Sequence, residues 1–317
     1  MRYLLDVCRG RDEPGGPRRC SGHQRARYQS SVELVATLER QQDQMGHRVQ
    51  TAEPSLLAEL SPQRREALWR CGIRAHGPES AADHPIIAER AGDPEAWGFY
   101  RNRFGWVDTS QVEDDDEDLT RFYGGLSETE CSALACYTEA WSEEMNRAVL
   151  GDEPPPVDPQ AREMAHHVVS VVQRFAAQAT GTRGWPPATV VRGVPVPTEW
   201  DDDPDAFFDA VYPVGARVQT GRITSTSLSV RYAETFARRP ENKHGYLMVI
   251  KSREGLPVAP VAADPFEAET ILPPGSSLRC VHVERDSMGD KPTTVYLVEE
   301  ALVAAEERLE ARGAKAS

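Results

Sequence analysis

The hydrophobic repeat of this chain changes period once, between Gly181 and Val190, and that change limits the folds open to it. Before it the spacing is helical. Ser127 and Glu130 form a capping box, and Leu134, Tyr137, Trp141 and Met145 then recur on one helix face. Asp158 and Pro159 open a second helix, with Met164, Val168, Val172 and Phe175 as its apolar stripe and Gly181 as its stop. After the change the spacing is that of strands: Val190 to Val194, Ile223 to Leu228, Tyr246 to Lys251, Glu269 to Leu272, Leu278 to Val283 and Thr294 to Val298, interrupted by one helix from about Val230 to Arg238. Helices first and closely spaced strands after predict an α+β domain on a mostly antiparallel sheet core.

A chain of 317 residues is about two domains' worth. The acidic run Asp114, Asp115, Asp116, Glu117 and Asp118 reads as a solvated linker, and the boundary is drawn there. Residues 1–118 then form a mainly helical region whose role is not legible, with helix starts before Val32 and at Ser61-Pro62. Residues 119–317 form the domain whose chemistry is legible.

Net charge −14 argues against a nucleic-acid binder, because phosphate binding needs clustered Lys and Arg. The first thirty residues depart from that average, with seven arginines from Arg2 to Arg27, and read as a solvated arm. No apolar run approaches 18 residues and no signal-peptide core forms, so the expectation is a cytoplasmic chain without a membrane span, for which export would need a non-classical route. The six cysteines include no C-x-x-C pair. Cys8, Cys20 and His23 are metal-ligand types, but no fourth ligand follows at finger spacing, so unpaired thiols are preferred to a zinc site.

Three strand-borne elements carry chemistry. Arg192-Gly193 pairs a guanidinium with a glycine, suited to bidentate phosphate contact with close backbone approach, or simply to an ion pair. Ser225-Thr226-Ser227 puts two hydroxyls on one strand face and one on the other, as an ordinary Ser/Thr-rich strand also does. Glu267 and Glu269, behind Phe266, are two apart, so that at a strand entrance both carboxylates point the same way. Paired like charges raise the pKa of one of them. His166 and His167, within the amphipathic helix, read as surface or half-buried residues.

Together and in this order the elements resemble the R-S-E class of arginine-specific mono-ADP-ribosyltransferases, which includes bacterial toxins and phage exoenzymes. The flanks that carry the resemblance are Leu126 to Glu130, Tyr137-Thr138, Met145 to Arg147, Ser225 to Ser229 followed by Ala233 to Ala237, Gly245 to Ile250 and Glu267 to Gly275. It spans roughly Leu126 to Val298. One departure is Ile223, where the family usually carries an aromatic.

The resemblance implies an ADP-ribosyltransferase fold, with two packed, mostly antiparallel β-sheets flanked by N-terminal helices. It implies NAD as co-substrate with no metal required, and as partner a target protein presenting arginine. It assigns Arg192 to the NAD phosphates and ribose, Gly193 to backbone contact with the nicotinamide amide, and Ser225 to the nicotinamide ribose and to orienting the catalytic Glu269. Thr226 and Ser227 complete the NAD-binding strand. The resemblance also assigns Glu267 to engaging the acceptor, and Phe266, closing the recognition turns from Val261, to contact with the target. Two other readings remain open at this stage: an NAD glycohydrolase with water as acceptor, and a non-catalytic binding module.

Overall fold

The computed structural model describes residues 60–76, 117–151, 156–179, 187–239, 243–285, 292–305 and 308, without the side chains of Trp69 and Phe266. Cys8, Cys20, His23, the basic arm and Gly181 lie outside the described residues.

The helices begin where their caps are. Helix α1 (Pro62–Arg70) starts on Ser61, whose hydroxyl accepts the Arg64 N–H at 3.2 Å. A short helix α2 (Glu117–Gly124) is followed by α3 (Glu128–Cys136), which carries the complete capping box. The Ser127 hydroxyl accepts the Glu130 N–H at 3.3 Å, and the Glu130 carboxylate accepts the Ser127 N–H at 2.7 Å. Glu130 also takes an ion pair from Arg174 at 2.9 Å, which ties the cap to α5 (Pro159–Ala179). Between α3 and α4 (Ser142–Leu150) the chain makes a π-helical turn, Tyr137–Trp141. Its wider winding breaks the even repeat read from sequence: Leu134, Tyr137 and Met145 are buried, while Trp141 is only partly so.

The strands are β1 (Ile73–Ala75), β2 (Ala188–Pro195), β3 (Arg217–Thr220), β4 (Thr224–Ser227), β5 (Gly245–Ser252), β6 (Leu256–Pro257), β7 (Glu269–Leu272), β8 (Ser277–Glu284) and β9 (Thr293–Glu299). They pair in the order β1-β3-β8-β9-β5-β2-β4-β7-β6, antiparallel throughout except for β5 against β9. The mostly antiparallel α+β reading therefore holds. Two separate sheets are not what forms. One ladder runs through all nine described strands, and its halves join at the single residue pair Val191–Ser227. Beyond that pair β2 and β4 diverge, and the cleft described below opens along the join.

Alternation along β7 shows how each half is buried. Ile271 packs into a core with Phe122, Leu134, Tyr137, Met145, Val172 and Phe175, whereas Leu272 packs into a second core with Trp200, Phe207, Tyr246, Leu278 and Leu297. The second core draws on helix α6 (Pro204–Val211), whose Phe207 meets the rings of Trp200, Tyr212 and Tyr246 with centroids 5.4–5.8 Å apart. It also takes Ala67, Leu68 and Ile73. Residues 60–76 precede the acidic run, yet they supply a helix and an edge strand to the same core and sheet. No helix among the described residues is long and apolar enough to cross a membrane.

Candidate active site

Helix α7 (Val230–Ala237) lies across β2 and β5 at unusually short range. A Cβ on Gly193 would sit 2.0 Å from the Ala233 carbonyl oxygen, and one on Gly245 would sit 1.9 Å from that of Ala237. Two glycines on adjacent strands, facing two alanines on the helix, permit this approach. Gly193 thus makes room for the helix that forms one wall of the site.

The opposite wall comes from β4 and β7. Their register pairs Ser225 with Ile271 and Ser227 with Glu269, so Ser225, Ser227 and Glu269 share one face, toward the helices α3–α5. Thr226, opposite Thr270, faces the other way, and its hydroxyl donates to the Thr270 carbonyl at 2.6 Å. On the shared face the Ser225 hydroxyl donates to Oε1 of Glu269; the Arg192 guanidinium, reaching over from the other face of β2, donates to the Ser225 carbonyl. The Ser227 hydroxyl donates to the Glu267 carbonyl at 2.7 Å and accepts the Ser229 N–H at 2.8 Å.

Glu267 and Glu269 do face one cleft, but not for the reason the strand reading supplies. Glu267 ends a 3-10 turn, Pro265–Glu267, and only Glu269 belongs to a strand. Between them Ala268 adopts φ 45°, the left-handed region that residues with a Cβ avoid. This reversal, and not strand alternation, brings the second carboxylate round. Phe266 lies in the same turn, and its side chain is outside the described residues.

Arg192, Gly193, Ser225, Thr226, Ser227, Glu267 and Glu269 all line one open cleft of about 630 Å³, counting the space continuous with solvent. Ser142, Val191, Tyr232, Ala233 and Phe236 complete it and were not found from sequence. Tyr232 and Phe236 are four apart on α7 and could have been read as a helical pair facing the Ser-Thr-Ser strand. Ser142 could not, because the π turn sets its direction. Ile223 lies wholly buried, with its carbonyl accepting the Tyr137 hydroxyl at 3.3 Å.

The electrostatics of the cleft are asymmetric. Burial first, and then the neighbouring Arg222, pull the Arg192 pKa down to about 10, so the guanidinium remains charged at neutral pH. Among the described residues it forms no ion pair with a carboxylate and donates to the Ser225 carbonyl, which leaves a cation suited to an anionic ligand. The Glu269 carboxyl is raised above the usual carboxylate range. Burial is the main cause and the Glu267 charge adds to it, while the Ser225 hydrogen bond and Arg192 act in the opposite sense. Among the described residues there is no group of three or more His, Cys, Asp or Glu placed to hold a metal ion.

No family profile matches the chain, and no curated protein sequence matches it at a significant level. Solved structures similar to it include exoenzyme S from Pseudomonas aeruginosa, in complex with human 14-3-3 protein beta and bound to carba-NAD, at 18% identity and TM-score 0.43 over 63% of this chain and 90% of that one. The ADP-ribosyltransferase HopU1 of Pseudomonas syringae is similar at 16% identity and TM-score 0.42, covering 76% of this chain and 98% of its own. The ADP-ribosyltransferase toxin Plx2a from Paenibacillus larvae is similar at 14% identity and TM-score 0.44, covering 58% of this chain and 91% of its own.

Proposed function

We propose that this chain is a mono-ADP-ribosyltransferase of the R-S-E class that transfers ADP-ribose from NAD to arginine side chains of a target protein. The observation that carries the reading is the convergence of Arg192, Ser225, Glu267 and Glu269, from three places in the sequence, on one cleft. An arginine that forms no ion pair among the described residues suits a pyrophosphate, and a buried carboxylate oriented by a serine hydroxyl suits a developing cation. A second carboxylate nearer the protein surface suits a cationic acceptor. Gly193, Thr226 and Ser227 form the wall along which the nicotinamide end of NAD lies.

In this reading the bond from the nicotinamide nitrogen to ribose C1 breaks with its electron pair leaving on nitrogen, which turns the pyridinium into neutral nicotinamide. Positive charge grows on C1 and the ring oxygen. Ionised Glu269, held by Ser225 and hydrogen-bonded to the ribose 2′-hydroxyl, stabilises that charge only as it develops, which lowers the barrier. A guanidino nitrogen then forms the new bond to C1. Its proton passes to Glu267 and on to solvent, which makes a normally protonated and poor nucleophile competent.

The test is one incubation of the purified chain with NAD labelled in the ADP-ribose and a cell lysate, followed by mapping of the modified side chain. Label on protein arginine supports the reading. Free ADP-ribose without labelled protein makes the chain an NAD glycohydrolase. No consumption of NAD makes it a binding module.

A further inference from the structure

The acceptor-side carboxylate is held by a residue that the chemistry above does not use. Tyr232 lies in the first turn of α7, where its N–H is capped by the Ser229 hydroxyl at 3.3 Å. Its phenol donates to Oε1 of Glu267, and its ring packs against Phe236 with centroids 5.2 Å apart. The backbone of Glu267 is held as well, by the Ser227 hydroxyl on its carbonyl. Glu267 is therefore tied at both ends to one rigid unit, because α7 is locked onto β2 and β5 by the close packing at Gly193 and Gly245. The phenol is pushed up well beyond its ordinary range, by burial first and then by the hydrogen bond to Glu267, so it stays a donor across neutral pH.

We infer that Tyr232 is a positioning residue that fixes the Glu267 carboxylate and so sets how ADP-ribose is partitioned between a guanidinium acceptor and water. The inference rests on the reading of Glu267 as the acceptor-facing group. A glutamate side chain has three rotatable bonds, and one half open to solvent samples several rotamers unless something holds it. A guanidinium must be met in a fixed plane and lose a proton as its nitrogen bonds to C1, so its capture depends on where the carboxylate points. Water attacking the same carbon needs no such partner.

The experiment uses the full chain and measures, on one preparation, ADP-ribosyl-agmatine and free ADP-ribose formed from NAD. Tyr232→Phe keeps the ring and its packing on Phe236 and removes only the hydroxyl. The expected result is a fall of about tenfold in the ratio of transfer to hydrolysis, the loss that one charge-assisted hydrogen bond commands. The same substitution in a Glu267→Gln background should change the ratio less than twofold further, because the two residues act through one contact. An unchanged ratio in Tyr232→Phe overturns the inference, as does an equal further loss in the double variant. Equal loss of both products would show a merely structural role and also overturns it. If the wild-type chain leaves agmatine unmodified, the arginine reading fails by itself. The Tyr232 ratio is then read on labelled lysate protein against free ADP-ribose, with the same outcomes deciding it.

Discussion

The Ser225 hydroxyl reaches the Glu269 carboxylate diagonally across the β4–β7 ladder, where Ser225 is opposite Ile271 and Glu269 is opposite Ser227. Diagonal neighbours on one face are within reach of a short side chain and a long one. The serine therefore holds one oxygen of the glutamate and, in the proposed reading, leaves the second for the ribose. Glu269 is 6% exposed, so its charge is held in the cleft against a desolvation cost.

Glu269→Gln should abolish both transfer and NAD hydrolysis and should also stabilise the fold. The folded-state pKa of Glu269 is raised, so its contribution to stability is present at low pH and is lost as pH rises from 4.5 through the raised value. At neutral pH the ionised group opposes folding, and a neutral isostere should gain about 0.5–2 kcal/mol, lost again in acid. Chemical denaturation at pH 7 and pH 4 checks this. In the wild type, activity should rise with pH through a range above the ordinary carboxylate value, and an acid limb at or below 4.5 would contradict it.

Glu267→Gln should separate the two activities. Losing the charge-assisted contact to guanidinium costs roughly 1.5–3 kcal/mol, or about ten- to a hundredfold in rate. Agmatine modification should fall by that factor, and hydrolysis of NAD by much less. Parallel loss of both would mean that Glu267 serves the NAD chemistry directly.

A fragment beginning at residue 119 should be less stable and less active than one beginning at residue 56. The boundary drawn at the acidic run makes the shorter piece sufficient. However, Ala67, Leu68 and Ile73 are buried in the second core, and the Gly72 carbonyl accepts the Gly221 N–H at 2.6 Å, just ahead of β4. Cutting them away exposes that core and frees the approach to Ser225. Comparing solubility, melting and NAD turnover of the two fragments decides whether the catalytic unit starts before the acidic run.

Gly193→Ala should destabilise the protein by about 1–3 kcal/mol, because the added methyl meets helix backbone and not a movable side chain. The displaced α7 carries Tyr232 and Phe236 with it, so transfer should suffer more than the loss of folded protein explains. Activity per folded molecule, with the folded fraction taken from urea titration, is the measurement.

Stability in acid should depend on Glu300, which lies far from the site in sequence. Burial alone would push its carboxyl up, but bonds from Ser277, Arg279 and Arg217 and the charge of Arg279 hold it at about 2. Because that value is depressed, its contribution is fully present above 4.5 and disappears as pH falls toward 2. Arg279 is wholly buried and donates to Glu300 at 2.6 Å, so Glu300→Gln should cost on the order of 3 kcal/mol at neutral pH and flatten the acid transition. An unchanged acid midpoint in the variant would contradict this.

What the sequence determined by itself was local. Ser127 and Glu130 start a helix wherever they stand, because a cap is satisfied within four residues. The runs of β2, β5, β8 and β9 declare themselves as short apolar segments rich in valine, and the Ser-Thr-Ser strand shows which hydroxyls share a face. Arg192, Ser225, Glu267 and Glu269 were legible as candidates through their order and flanks, which resemble the R-S-E class, since each alone also reads as an ordinary residue of its segment. What only the tertiary structure decided depends on segments far apart in the chain. Ile73 of the edge strand β1 joining β3, the halves of the sheet meeting at Val191 and Ser227, and α7 seated on Gly193 and Gly245 are long-range pairings with no local signature. The left-handed Ala268 and the π turn before Ser142 belong to the same class, since backbone geometry of that kind persists only when packing on both sides imposes it. Tyr232 became a partner of Glu267 for the same reason: the residues are 35 apart in sequence, and the packed helix brings them together.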